Sequence, residues 1–200
     1  MISIDNTALA ANWQKLQGMV KGEAAAVVKA NGYGLGIGNV APVLRAAGCK
    51  TFFTAHGTEA AALRPHVPDA TIITLHGIKP GQAALFKEFN IIPALKSHED
   101  LKEWQGPAWL HVDTGMNRLG FAPNDVPHYE NALGIMSHFA CSDEPQHFMN
   151  VQQLKAFRAV RAGFPQLKAS LCNSSGIFLG EANHFDLVRP GVALYGVNPT

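Results

Sequence analysis

The chain reads as an α/β protein whose strands form a closed parallel barrel, the (β/α)8 or TIM-type architecture. Three observations predict it. Eight short apolar or β-rich runs recur about every 20–35 residues. Helix-like stretches fill most of the gaps between them, as strand–helix–strand units require. The length, 200 residues, meets the lower size limit of that barrel.

The runs begin with AAAVVKA (24–30), continuously apolar as a strand buried on both faces must be. TFFTA (51–55), TIITL (71–75), IIPAL (91–95), WLHVD (109–113), IMSHF (135–139), KASLC (168–172) and FDLVR (185–189) follow. Helices are predicted over 38–48, 58–64, 81–89, 97–104 and 151–163. In the last of these, Val151, Leu154, Phe157, Val160 and Arg161 fall at the spacing of one helix face. The opening ISIDNTALAANWQKL predicts a short strand and then a helix capped at Asn6 or Thr7. A doubly wound open sheet is the structural alternative, because alternation does not itself demonstrate closure. Residues 1–200 read as one domain, with no linker, repeat or low-complexity tract.

Composition narrows the function classes. A formal net charge of +1, with Lys and Arg scattered singly, argues against nucleic acid, which needs a concentrated basic face. No run approaches the roughly 20 apolar residues of a membrane helix, and the N-terminus lacks the pattern of a signal peptide. Cys49, Cys141 and Cys172 are odd in number and have no metal or paired spacing. They read as reduced packing thiols, which predicts a cytoplasmic protein.

The candidate chemistry clusters at strand ends, where barrel enzymes build their sites. In AVVKANGYGLGIG (26–38), Lys29 closes a buried strand ahead of a glycine-rich loop. Burial there would favour the neutral amine that Schiff-base chemistry uses; a strand-capping lysine that reaches solvent is the plainer reading. The glycines run G-x-G-x-G-x-G, which argues against a dinucleotide loop. HVDTGMNRLGF (111–121) offers Arg118, a planar fork suited to a carboxylate or phenolate, or a surface ion pair. In SHFACSDE (137–144) the spacing of His138, Cys141, Asp143 and Glu144 does not surround one ion, so no metal site is expected. LCNSSG (171–176) presents Asn173, Ser174 and Ser175 where a helix should begin, to hold a phosphate or merely to cap. DLVRPGVALYG (186–196) places Arg189 at the end of the eighth strand, in a region where barrels often bind phosphate.

AVVKANGYGLG, HVDTGMNRLG, the SHF segment, CNSSG and VRPGVALYG together resemble, in order, the motifs of the alanine racemase family. The resemblance implies a pyridoxal 5'-phosphate (PLP) enzyme that interconverts L- and D-alanine by a two-base mechanism. It implies that Lys29 carries PLP as a Schiff base and, once released by substrate, is the base on the D-amino-acid side. Tyr33, Ser174 and the backbone of Gly191 and Val192 would hold the phosphate. Arg118 would contact the substrate carboxylate region and the cofactor's phenolic oxygen. His138 and Asn173 would line the cofactor, and Arg189 would face its pyridine nitrogen. The family's opposing base is a tyrosine of a C-terminal β-domain from the partner subunit of a homodimer. That domain is expected to lie beyond residue 200, so this chain alone is expected to bind PLP weakly and racemise poorly. At position 111 some members carry a carbamylated lysine that supports the arginine, whereas this chain has His111. A free-standing PLP-binding barrel with a carrier or regulatory role is the second reading, and a barrel that has lost its cofactor the third.

Overall fold

The computed structural model describes residues 3–200. A helix α1 (Asn6–Gly18) leads into eight strands, all parallel. The first, β1, pairs in two segments, Glu23–Ala24 and Ala26–Val27. Then come β2 (Thr51–Thr54), β3 (Thr71–Thr74), β4 (Ile91–Leu95), β5 (Ala108–His111), β6 (Ala132–Met136), β7 (Lys168–Ser170) and β8 (Leu187–Val188).

Neighbours in sequence are neighbours in space from β1 to β7. Closure comes from β8. On one side its Leu187 and Val188 stand opposite Glu23 and Ala24 of β1. On the other, Asp186 N–H donates to Ala169 C=O at 3.1 Å and Arg189 N–H to Cys172 C=O at 2.9 Å. The predicted closed sheet is therefore what these residues form, and the open-sheet alternative is excluded.

Two hydrophobic clusters explain the continuous apolar runs. Ala25, Val27, Phe53, Ile73, Ala94, Trp109, Met136 and Leu187 pack together as the barrel interior. Alternate residues of the same strands, such as Phe52, Ile72, Leu95, Leu110 and Ile135, pack outward against the helices. Trp109 is the bulkiest interior residue, and Gly134 on the adjacent strand makes room for it: a Cβ there would lie 2.7 Å from the indole ring.

Helices α2 (Ile37–Ala46), α3 (Gly57–Leu63), α4 (Ala83–Glu88), α5 (His98–Glu103) and α6 (Phe148–Ala162) cover the outside. Several expectations need correction. The expected N-terminal strand lies partly outside the described residues, and Ile4 and Asp5 carry no strand. Asp5, not Asn6 or Thr7, caps α1, because its carboxylate accepts from Ala8 N–H at 2.9 Å. Val151 is 71% exposed. The fully buried residues of α6 are Asn150, Gln153 and Phe157, with the predicted Leu154 and Val160 packed against the same core; Gln153 is held by Ala140 N–H and His138 C=O and Asn150 by Glu144 C=O. No α-helix follows β7; the chain makes 3-10 turns at Ser175–Leu179 and Glu181–Asn183.

Candidate active site

Strand β1 ends at Val27 rather than at Lys29. Lys29 opens a turn in which Ala30, Asn31, Gly32 and Tyr33 all have φ between +52° and +65°. A left-handed turn costs about 1–2 kcal/mol for each residue that carries a side chain, so three of these four positions are strained. Hydrogen bonds from Gly32 N–H to Val28 C=O (2.9 Å) and from Gly36 N–H to Asn31 C=O (2.8 Å) hold the turn from within. Glu59, from α3, holds it from outside. One carboxylate oxygen accepts Ala30 N–H at 2.8 Å and the other accepts Ala55 N–H, at the end of β2, at 2.7 Å. The turn leaves Lys29 half-buried at the barrel mouth and brings Tyr33 back over it.

The Arg118 loop is built differently. Phe121 returns to the end of β5, pairing with His111 and Asp113 through backbone hydrogen bonds of 2.8 and 2.9 Å. Within the loop, Asp113 Oδ1 accepts the N–H groups of Gly115, Met116 and Asn117, and Oδ2 accepts that of Arg118, all at 2.8–3.0 Å. Burial works against the charged Asp113, but those four donors outweigh it and hold its carboxyl below the usual range. Among the described residues the Arg118 guanidinium has no carboxylate within 4.0 Å.

Arg189 is 3% exposed and has no carboxylate partner either. Its donors go to Ser170 Oγ, Ser137 C=O and Leu171 C=O. Burial lowers its pKa to about 10, so it stays charged. His138 Nδ1 lies 3.3 Å from the Arg189 guanidinium. Arginine only donates, so Nδ1 is the acceptor of that contact, while Asn173 Nδ2, also a donor, lies 3.4 Å from Nε2. Burial, then the charges of Arg189 and Arg118, keep His138 well below the usual histidine range. Asn173 Oδ1 accepts from Ser142 Oγ and Gly176 N–H, both at 2.8 Å, which fixes the start of the turn after β7.

Opposite these, Ser174 Oγ accepts Gly191 N–H at 2.9 Å and Ala193 N–H at 3.2 Å, gathering the first turn of a 3-10 helix, Val192–Tyr195. The Tyr33 hydroxyl presses against Gly191 so closely that a Cβ there would sit 2.3 Å from it. Only glycine leaves space at that point. The Tyr33 ring packs 4.7 Å from that of Tyr195, whose hydroxyl donates to Val27 C=O at 3.1 Å.

All nine residues singled out in the sequence, Lys29, Tyr33, Arg118, His138, Asn173, Ser174, Arg189, Gly191 and Val192, line one cavity of about 810 Å3 including its open mouth. Leu75, His76 and Leu119 also line it, and sequence reasoning missed them. The only signal for Leu75 and His76 was their place at a strand end. His111, likewise in the wall, is pushed down to about 3, first by burial and then by Arg189 and Arg118; its buried Nδ1 has no hydrogen-bond partner. His76 is also lowered, by burial and by His56. The wall thus holds three cations, three histidines with depressed pKa values and no carboxylate. Such a site is built for an anion.

Cys49 and Cys172 are buried packing residues whose thiols burial pushes up to about 12. Among the described residues no cluster suits a metal ion, and no helix is long and apolar enough to cross a membrane.

Comparison with known proteins accounts for this arrangement. The profile of the family described as alanine racemase, N-terminal domain, matches residues 4–199. An alanine racemase of Rhizobium meliloti is 46% identical over 98% of this chain, and one of Methylobacterium nodulans 45% over its whole length. The chain covers 56% and 59% of those relatives. The crystal structure of alanine racemase from Bartonella henselae with covalently bound pyridoxal phosphate superposes with a TM-score of 0.92 at 39% identity, covering 98% of this chain and 63% of that one. That of the biosynthetic alanine racemase from Pseudomonas aeruginosa gives 0.87 at 31% identity, covering 98% and 59%. A barrel closed by its eighth strand, a cationic mouth and these matches together establish that the chain belongs to the alanine racemase family, whose N-terminal domain it spans.

Proposed function

We propose that this chain is the cofactor-holding barrel of a PLP-dependent alanine racemase, an isomerase of the cytoplasm. The observation that carries the reading is the cavity wall with three cations and no carboxylate. PLP brings a phosphate and a phenolic oxygen, and an amino acid adds a carboxylate, so the ligand pair matches that wall in charge.

When bound, the cofactor would offer a carbonyl to the Lys29 amine and a conjugated ring able to draw electron density from the substrate Cα. The chain's own residues do the rest. Tyr33, Ser174 and the backbone of Gly191 and Val192 would hold the phosphate. Arg118 orients the substrate carboxylate and the phenolic oxygen. Arg189 donates to the ring nitrogen and cannot give up its proton, so that nitrogen stays unprotonated and the ring is a weaker electron sink. Fast reprotonation at Cα is then favoured over side reactions. His138 and Asn173 keep Arg189 and the cofactor face in place. Lys29 Nζ moves the proton at Cα on one face, and racemisation needs a second base on the other. We assign that base to a partner subunit of a homodimer, on the strength of the family resemblance.

Adding PLP to the chain should produce a visible absorbance band from the lysine-bound cofactor, and Lys29→Ala should abolish it. A band of unchanged intensity in that variant would sink the proposal. Racemisation of D- and L-alanine, assayed on the longest protein encoded with this chain, separates the enzyme from a cofactor carrier.

A further inference from the structure

The turn that presents Lys29 is left-handed at four consecutive residues, and only two of its neighbours in sequence, Gly34 and Gly36, favour that hand by being glycine. Ala30, Asn31 and Tyr33 would each relax to right-handed or extended backbone if released. Such a relaxation would rotate the peptide that follows Lys29 and loosen the lysine's backbone at the cavity mouth. Two of the three restraints on the turn are local: its own backbone bonds and Asn31 Oδ1, which accepts Ile37 N–H at 2.8 Å. The third is Glu59, twenty-nine residues on from Ala30, whose two oxygens tie Ala30 to Ala55. It is the one charged side chain that accepts from the turn among the described residues. Its reach is set by α3, whose first turn it occupies beside the end of β2.

We infer that Glu59 is a positioning residue for Lys29: its carboxylate clamps the peptide after the lysine to the adjacent strand and so keeps Nζ aimed into the cavity. Glu59 does not itself line the cavity and touches no reacting atom. The inference rests on the functional reading above for what Lys29 does, and on the structure for what Glu59 does.

Glu59→Ala removes both acceptors. A hydrogen bond to a charged group changes an equilibrium by roughly 10- to 100-fold, and the affinity for PLP, read from the visible band, should fall by that factor. Amide exchange at Ala30, followed by NMR in the cofactor-free protein, should quicken by a similar factor. The matched control is Glu103→Ala, which removes a carboxylate that accepts Gly81 N–H at 2.8 Å away from the site. It should leave both readouts unchanged even where it lowers the melting temperature. Should Glu59→Ala fail to fold, Glu59→Gln decides, because a glutamine carbonyl can accept from only one of the two amides; an intermediate loss is expected. A Glu59 variant that folds, keeps the wild-type PLP affinity and keeps slow Ala30 exchange overturns the inference. The absence of any band in the wild-type chain would overturn the functional reading and this one with it, whereas equal PLP affinities and equal Ala30 exchange in wild type and Glu59→Ala overturn this one alone.

Discussion

Two loops at the same rim each deliver a cation to the cavity, and they are organised in opposite ways. The Arg118 loop is shaped by a residue five positions away, Asp113, which collects four backbone N–H groups on one carboxylate. The Lys29 turn is held in a strained hand partly from α3, through Glu59. The first arrangement is local and holds one residue with a side chain, Asn117 at φ +56°, in the left-handed region, against three in the second. The second ties a strained segment to a neighbouring strand and helix, so the position of Lys29 depends on how well the barrel wall around it is assembled. On the function proposed above, the loop that presents a charge is held locally, and the residue that would meet a reacting atom is tied into the sheet.

The comparison can be broken most severely at Asp113. Asp113→Ala should cost about 2 kcal/mol, since it strands several amides of a half-buried loop. Its PLP band should survive while substrate affinity falls, because Arg118 loosens and Lys29 does not. Asp113→Asn is the sharper cut. Its amide oxygen can still accept from Gly115, Met116 and Asn117, but its NH2 group would face Arg118 N–H. Kinetics on the full-length protein should then show a raised KM with kcat less affected; a change confined to kcat would contradict the local picture.

Acid should separate the two loops next. Asp113 titrates below the usual carboxylate range in the folded protein, so its contribution is present above the unfolded value near 4 and is lost as pH falls through the folded value. His111 works in the same direction over a higher window. Its folded pKa, about 3, lies below the ordinary 6.5, so the unfolded chain binds more protons and stability declines as pH drops from 6.5 towards 3. Chemical denaturation across that range should show the decline, and His111→Asn should flatten it. An unchanged slope in that variant would mean that His111 is protonated in the fold.

The smallest effect is expected at Ala30, where φ is +52°. Ala30→Gly removes the left-handed penalty while adding flexibility to the unfolded chain, for a net gain of about 0.5–1 kcal/mol. A rise in the denaturation midpoint checks it. A loss of stability would show that the turn is less strained than its dihedral angles indicate.

The same contrast explains what could be read in the chain before its structure. DTGMNRLG announces its loop, because Asp113 and the amides it binds lie within five residues. The alternation and number of apolar runs pointed to the barrel but did not demonstrate its closure; of FDLVR only Leu187 and Val188 form the ladder, with Phe185, at φ +51°, standing before it. The hand of the Lys29 turn was not legible, since AVVKAN is as apolar as any strand and the restraint comes from Glu59. Nor was the polar part of the face that α6 buries. Leu154, Phe157 and Val160 marked its apolar part, but Val151 stays in solvent, and buried Gln153 and Asn150 find partners in distant backbone. Polar side chains that satisfy a distant backbone leave no periodic trace.

Arg189 carries one more consequence. A guanidinium sealed in the barrel without an acidic partner is a charge the fold has accommodated only with neutral groups, Ser170, Ser137 and Leu171. Dipoles of that kind offset part of the cost of removing it from water, and the remainder is left standing in the apo protein. Any anion that enters the cavity therefore does two things at once: it finds a site, and it relieves the barrel of an electrostatic load. Ligand affinity and fold stability are coupled through this one side chain, so a substitution that makes the empty barrel sturdier at position 189 should make it a poorer receptor.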